Sequence, residues 1–373
     1  MRIALFNVRL KDDLIPVPYI PTSKCNGIYH GVFDNGRVLS AEVIGQFTCT
    51  DIDYKILRQQ YDFNMDIITV ATARYGKLPQ PLRDCVLDYY KQKTDLKDKK
   101  TDSEHTAEFY KLLYNKLKNL LNAQFGMMAQ DPVKITTEYH SELEDLYKDK
   151  DCIPEELLEQ HNKKAFLVYQ WGVWVTARAR EHLQKGIDLC GINFVYCDTD
   201  SCKYIGDDVD WEILNKEVRK NAEKNNTYAV DPNGVKHYMG LFEKEEHMKE
   251  FKTLGSKKYA YITDDNKLRI TIAGVNKRIG AIELKRAASV KYGPPEDPLV
   301  YMAPNFKFIY AGGLEVRYSD HPEQDGITEF ITEDNVPIRI TRNVSLVDNT
   351  KTLGITGEYR ELLEISHKML IDL

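Results

Sequence analysis

The sequence contains no Cys-x-x-Cys pair and no His-Glu-x-x-His, and its seven cysteines are odd in number. Neither a zinc site nor a disulfide framework is indicated, and a reducing cytoplasm is the expected setting. It also lacks any run approaching the ~18 uncharged apolar residues of a membrane span, and the opening MRIALFNVRLKDD is too short an apolar run for a secretory signal. A soluble protein with no membrane partner is expected. There is no basic excess either: 51 Lys and Arg against 57 Asp and Glu leave a net charge of −6. Any contact with nucleic acid must therefore come from local clusters of Lys and Arg. What is present is length, 373 residues, enough to bury a real core in two or three domains.

The most informative stretch is Asn193 to Tyr204, NFVYCDTDSCKY. Phe194, Val195 and Tyr196 suit a buried strand, which runs into the polar turn Asp198-Thr199-Asp200-Ser201 and out through a second short strand, Cys202 to Ile205. The result is a hairpin with carboxylates at its tip. Two acids one residue apart project to the same side of an extended segment, where each raises the other's pKa unless a cation lies between them. A hard, oxygen-seeking ion is required, and Mg²⁺ fits best. A bare Asp-x-Asp is ordinarily a solvated turn, so the flanking residues decide its meaning.

Arg2 to Leu10 alternates imperfectly through Ile3, Leu5 and Val8, as a strand with nothing before it to pair with. A bare sheet edge is expected there. Asp34-Asn35-Gly36 offers a tight turn ahead of Arg37-Val38-Leu39. Thr50 or Asp51 can cap a short helix through Gln60, and Asp66 to Thr72 suggests another strand. The spacing of Leu82, Val86, Leu87 and Tyr90 predicts a helix over Pro79 to Lys97. After a polar connection, a second helix with cap candidates at Thr101, Asp102 and Ser103 runs to Gly126, where a left-handed C-terminal glycine would sit. Its inward stripe is Leu113, Leu117, Leu120 and Leu121. On another face Lys111, Lys118 and Phe125 recur every seven residues, with Asn122 one turn past Lys118. Residues 130–164, with the acidic run Glu142 to Asp151, read as an exposed insertion. A long helix follows from Phe166, with Thr176 and Arg180 on one face; Trp211 to Lys224 is a further helix, and Lys257 to Ile272 a hairpin turning at Asp264-Asp265-Asn266. The fold class is α+β.

YCDTDS after a strand resembles the third palm motif of family B DNA polymerases. Lys118-Asn-Leu-Leu-Asn122-Ala-Gln-Phe125-Gly126 resembles the fingers motif of that family, with Ala123 in place of the usual Ser and Phe125 in place of the usual Tyr. Thr176-x-x-Ala-Arg180 is similar to a palm motif of the protein-primed bacteriophage branch, and Lys257-Lys258-Tyr259 to the family's Lys-x-Tyr. The four stand in the family's order between 118 and 259.

The resemblance implies a right-hand polymerase fold without the N-terminal exonuclease domain. Its expected divisions are palm start 1–44, a first insertion 45–80, fingers 81–129, a second insertion 130–164, palm with the acidic hairpin 165–273, and thumb with C-terminal extension 274–373, opening with the basic stretch Lys277 to Lys291. It further implies that Asp198 and Asp200 hold Mg²⁺, with Lys257 serving the primer end. Lys111, Lys118, Asn122, Phe125 and Gly126 then meet a deoxynucleoside triphosphate, and Thr176, Arg180, Ser201 and Tyr259 meet template and primer DNA. The family's Asp-x-x-Ser-Leu-Tyr-Pro motif is missing from the 373 residues. The expectation is a split polymerase, its two-ion site completed by a carboxylate on a second polypeptide that brings the exonuclease and first palm motif and docks on the bare edge. A terminal protein primer is a further implied partner, and the host cytoplasm the setting if the source is viral. The alternative is a non-catalytic, clamp-like remnant that binds DNA.

Overall fold

Ile3, Leu5 and Val8 all point inward and are buried, yet their spacing changes parity midway along the strand. Asn7 is the cause. Its φ of 54° is left-handed, and the pairing register shifts between Phe6 and Arg9, so a bulge re-phases the alternation. These observations come from a computed structural model of the chain. It describes residues 1–74, 76–97, 99, 106–129, 133, 136–140, 146–150, 154–164, 168–289, 297–309, 314–318, 327–331, 337–341, 344–348 and 350–354. The cap candidates at 101–103, Phe166, Lys291 and part of the acidic run at 142–151 lie outside the described residues.

In chain order the elements begin β1 (Arg2–Leu10), β2 (Cys25–Tyr29), β3 (Val32–Asp34), β4 (Arg37–Thr48), α1 (Asp51–Gln60), β5 (Tyr61–Thr69), α2 (Gln80–Asp95) and α3 (Ala107–Met128). They continue with β6 (Thr136–His140), β7 (Leu146–Lys150), α4 (Pro154–Lys164), α5 (Tyr169–Cys190), β8 (Phe194–Asp198), β9 (Ser201–Tyr204), α6 (Glu212–Asn225), β10 (Tyr228–Val230) and β11 (Lys236–Tyr238). Then come β12 (Met248–Thr253), β13 (Lys258–Thr263), β14 (Leu268–Ile272), α7 (Lys277–Ala288), α8 (Pro298–Tyr301) and β15 (Lys307–Phe308). The last are β16 (Leu314–Tyr318), β17 (Ile327–Ile331), β18 (Pro337–Thr341), β19 (Val344–Asp348) and β20 (Lys351–Thr352). The fold is mixed α and β with antiparallel sheets. Two compact units divide it, residues 1–130 with 165–244, and residues 131–164 with 245–373.

In the first unit β1 lies inside its sheet, which has the order β2-β4-β1-β5 with β3 also on β4. The bare edge expected at β1 is therefore wrong: Leu5 pairs with Ile44 on one side and Met65 on the other. The reason is β5, which returns from α1 along the side of β1 that β4 leaves open. It begins at Tyr61, earlier than Asp66, because Tyr61 and Phe63 alternate into the core directly after the helix. β4 runs unbroken through position 45, so residues 1–69 share one core that includes Ile20, Ile44, Ile56 and Leu57. The turn at Asn35 and Gly36 has φ of 49° and 71°, the left-handed pair that a two-residue hairpin needs.

Helix α3 also departs from expectation at its ends. Thr106 caps it, accepting from the Phe109 N–H, and it continues through Gly126 to Met128. Gly126 is thus a helical residue: Met127 and Met128 prolong the helix, and Met128 is buried. Leu117 is buried as expected, whereas Leu120 faces outward and Tyr110 takes an inner place.

In the second unit β12, β13 and β14 form a meander, with the β13–β14 turn at Asp264 to Asn266 as expected. Helix α7, capped by the Asn276 side chain, packs on β14 at Gly280, where a Cβ would come within 2.3 Å of Ile270. Leu254, Ile270, Leu284, Met302, Phe308 and Leu353 form its core. Among the described residues no helix is long and apolar enough to cross a membrane.

Candidate active site

Helix α5 positions the candidate residues of the first unit. Its 22 residues span about 33 Å at 1.5 Å per residue. Near its start Gly172 lets α3 approach, since a Cβ there would lie 3.2 Å from that of Met128. Near its end Gly186 admits the β8–β9 hairpin: a Cβ would meet the Phe242 ring at 2.9 Å and the Cys202 Sγ at 3.3 Å. Between these glycines stands Arg180.

Arg180 is held inside the unit. Its Nε and Nη2 donate to the Asp53 carboxylate at 3.0 Å each, and Nε also reaches the Tyr19 hydroxyl at 3.2 Å. Asp53 in turn closes a capping box with Thr50 and accepts from the Tyr19 hydroxyl. Burial would raise the Asp53 pKa, but the bonds from Tyr19 and Thr50 and the Arg180 charge outweigh it and hold the carboxyl below its ordinary value. Burial, then the bond to Asp53, pushes the Tyr19 hydroxyl up. Thr176, one turn before Arg180, donates back to the Gly172 and Val173 carbonyls. The pair expected to face DNA phosphates is thus engaged within the protein.

The hairpin itself forms as read, with Asp198 paired to Ser201 across Thr199 and Asp200. Two corrections follow. Its first strand is half-buried, with Val195 38% exposed, because among the described residues the sheet has only two strands and α5 covers one face. The acids, moreover, are not same-face neighbours of an extended segment. Thr199 between them has φ 55°, a left-handed conformation that is strained for a β-branched residue, and the Asp200 N–H donates to the Asp198 carbonyl at 2.6 Å. Asp200 is exposed at the tip and Asp198 is half-buried, its Oδ1 accepting from the Thr199 hydroxyl at 3.0 Å. Ser201, expected at DNA, braces the turn by donating to the Asp198 carbonyl at 3.1 Å, and it accepts from Lys203.

Behind the hairpin is an aromatic stack. His182 lies flat on Phe242 at 4.4 Å, and Phe242 contacts Trp211, whose Nε1 donates to the Tyr204 hydroxyl at 3.1 Å. Buried Asn215 fixes Phe242 by bonding its N–H and its carbonyl, each at 2.9 Å. Burial keeps the His182 pKa below its usual value.

On α3, Lys111, Lys118 and Asn122 are exposed, Phe125 is half-buried and Gly126 is exposed, so the residues expected to meet a nucleotide share one accessible face. A residue not anticipated joins it. Lys93 of α2 places its ammonium 4.9 Å from the Tyr90 ring and 5.8 Å from that of Tyr114, one turn before Lys118. Burial, followed by the charge of Lys118, lowers the Lys93 pKa. Lys257 and Tyr259 belong to the second unit. Lys257 is exposed in the β12–β13 turn with φ 51°, while Tyr259 is 8% exposed and packs on Phe251, so its ring supports the meander.

For a metal, the described residues contain no group of three or more His, Cys, Asp or Glu. Mg²⁺ is commonly bound through one or two carboxylates with water and substrate phosphates filling the other positions, and the hairpin tip carries two, Asp198 half-buried and Asp200 exposed.

No protein-family model matches the chain, and no curated protein matches it either. Among solved structures it is similar to Phi29 DNA polymerase complexed with primer-template DNA and incoming nucleotide substrates, with a TM-score of 0.54 and 16% identity. The match covers 95% of this chain and 51% of that one, so the chain spans about half the length of its structural neighbour. At this identity the likeness is one of fold, and the chain has a DNA polymerase-like fold.

Proposed function

We propose that the chain takes part in template-directed DNA synthesis, transferring deoxynucleotides to a primer 3′ hydroxyl in the manner of family B polymerases of the protein-primed bacteriophage branch. The observation that carries this reading is the combination of a polymerase-like fold with an exposed acidic hairpin and an exposed Lys118 face, both built on α5 and its neighbours. Asp200, with Asp198 beside it, holds Mg²⁺. When bound, the metal lowers the pKa of the attacking hydroxyl and neutralises the leaving pyrophosphate. Lys118 donates to the triphosphate, Asn122 and Phe125 shape the pocket around base and sugar, and Lys257 approaches the primer end. Lys111 and Lys93 add positive charge along the path of the phosphates.

The carboxylate that completes a two-ion site comes from a segment other than these 373 residues, in this reading a second polypeptide carrying the first palm motif. Primer extension with Mg²⁺ and deoxynucleotides tests this, using the chain alone, the complementing polypeptide alone, and both together. Extension only by the mixture is expected, and Asp200→Asn in the mixture should abolish it while DNA affinity stays within a few-fold, since duplex affinity rests mainly on phosphate contacts elsewhere. Full activity of that variant removes Asp200 from the site. A mixture that binds primed template yet never extends it supports the clamp-like alternative instead.

A further inference from the structure

Inside the first unit, between β4, the turn at Thr22–Lys24 and α5, lies a cavity of about 280 Å³. Its charged lining is Lys24, Arg37, Asp53 and Arg180, and Tyr19, Ser23 and Thr48 bring hydroxyls, that of Tyr19 already spent on Asp53. Three cations face one carboxylate, and that carboxylate is saturated. Asp53 Oδ1 accepts from Tyr19 and Arg180, and Oδ2 from the Thr50 N–H, the Thr50 hydroxyl and Arg180. A carboxylate offers about four lone-pair positions, so Asp53 has none left for a cationic ligand.

The positive charge is not cancelled in the same way. Arg180 has its partner in Asp53, but neither Lys24 nor Arg37 has a carboxylate within ion-pairing distance among the described residues. Arg37 makes one bond inward, from Nη1 to the Tyr19 carbonyl at 3.1 Å, and Lys24 stands exposed at the rim. Ser23 and Thr48 add hydroxyl donors, and Val17, Phe47, Leu183 and Ile187 supply apolar wall. We propose that this cavity binds a small phosphomonoester dianion. An Arg fork beside a Lys point charge and hydroxyls is the donor set such a group takes, and the volume, close to the ~300 Å³ lower limit of small-molecule pockets, admits a phosphate with a modest appendage. The site is distinct from the Lys118 face. Cys197 also lines it, one residue before Asp198, so an occupant touches the strand that ends at the first acid of the hairpin.

Cys197 supplies the readout. The free chain is treated with a thiol-alkylating reagent, and modification of the Cys197 peptide is followed by mass spectrometry with inorganic phosphate, a nucleoside monophosphate, or a single-stranded oligonucleotide lacking a 5′ phosphate. Phosphate and the monophosphate are expected to slow alkylation several-fold, and Lys24→Ala or Arg37→Lys to weaken that protection about tenfold or more. Lys24 is exposed, so its variant tests binding without disturbing the core, and a thermal melt verifies folding of both. Lys118→Ala should leave protection unchanged, which separates this site from the proposed nucleotide face whether or not the chain polymerises DNA. Protection that survives both cavity variants, or no protection by either phosphate, overturns the proposal. Protection by the oligonucleotide alone also overturns it, and assigns the cavity to a DNA-contacting surface.

Discussion

Arg180 and Lys118 enter the sequence as equals, each a cation at a motif position on a long amphipathic helix. In the folded chain Arg180 is half-buried against Asp53 and Tyr19, while Lys118 is exposed on a face shared with Lys111 and Asn122. The first region is held together by charge that is already matched. The second carries charge that the fold leaves turned outward. Stability and ligand affinity should accordingly respond to different substitutions, and that separation can be tested.

The largest effect is expected at Asp53→Ala, which leaves Arg180 without its carboxylate and breaks the cap of α1. Removing one partner of a buried pair costs ~3 to 5 kcal/mol, and the Arg180 side chain, 35% exposed, recovers part of this by hydration, so a loss of about 3 kcal/mol is expected in urea denaturation. A loss below about 1 kcal/mol would mean that the pair contributes little beyond an ordinary surface contact. Lys118→Ala should do the reverse: kcat/KM for the incoming nucleotide falls by about 10- to 100-fold in the extension-competent mixture, from loss of a charge-assisted contact, while stability stays within ~0.5 kcal/mol. Unchanged single-turnover rate and nucleotide affinity would sink the fingers assignment.

A pH series sharpens the contrast. The folded Asp53 pKa is depressed, so its contribution is fully present above the unfolded carboxylate value of ~3.9 and is lost as pH falls through the lower folded value. Urea midpoints of the unaltered chain should therefore drop more steeply below about pH 4 than those of Asp53→Asn. Equal slopes would assign acid sensitivity to other carboxylates. The smallest effect belongs to Phe125→Tyr, which keeps the ring surface and adds a hydroxyl at a half-buried position; nucleotide affinity should change by less than about twofold.

Much of this was legible where the signal is local. The hairpin at Phe194 to Tyr204, the Asn35-Gly36 turn and a helix cap at Thr50 or Asp51 follow from neighbouring residues alone, because turn chemistry and alternation act over a few positions; the structure puts the cap at Thr50. The pairing of Asp53 with Arg180 was not legible, since 127 residues separate them and neither carries a mark of the other. Thr50 stands at a cap position in the sequence, but nothing there shows that Asp53, three residues on, closes a capping box and holds Arg180 as well. Gly126 is ambiguous in the sequence for a related reason. A glycine closing a helix and one inside it look alike until Met128 is seen to be buried against Gly172. Lys93 carries no such mark in the sequence, because its tie to the Lys118 face depends on two helices packing side by side.

The two close approaches on α5, at Gly172 and Gly186, make that helix a ruler with fixed graduations. Fourteen residues set both the ~21 Å along α5 between its approach to the end of α3 and its approach to the acidic hairpin and the angle at which each meets α5. One residue added between those marks would turn everything beyond it by ~100° and aim a side chain where only a hydrogen now fits. The interval is therefore closed to insertion and deletion as well as to most substitutions at its ends. Length itself, counted in residues, is thus fixed by the packing along this stretch of α5, whatever the identities of the side chains between.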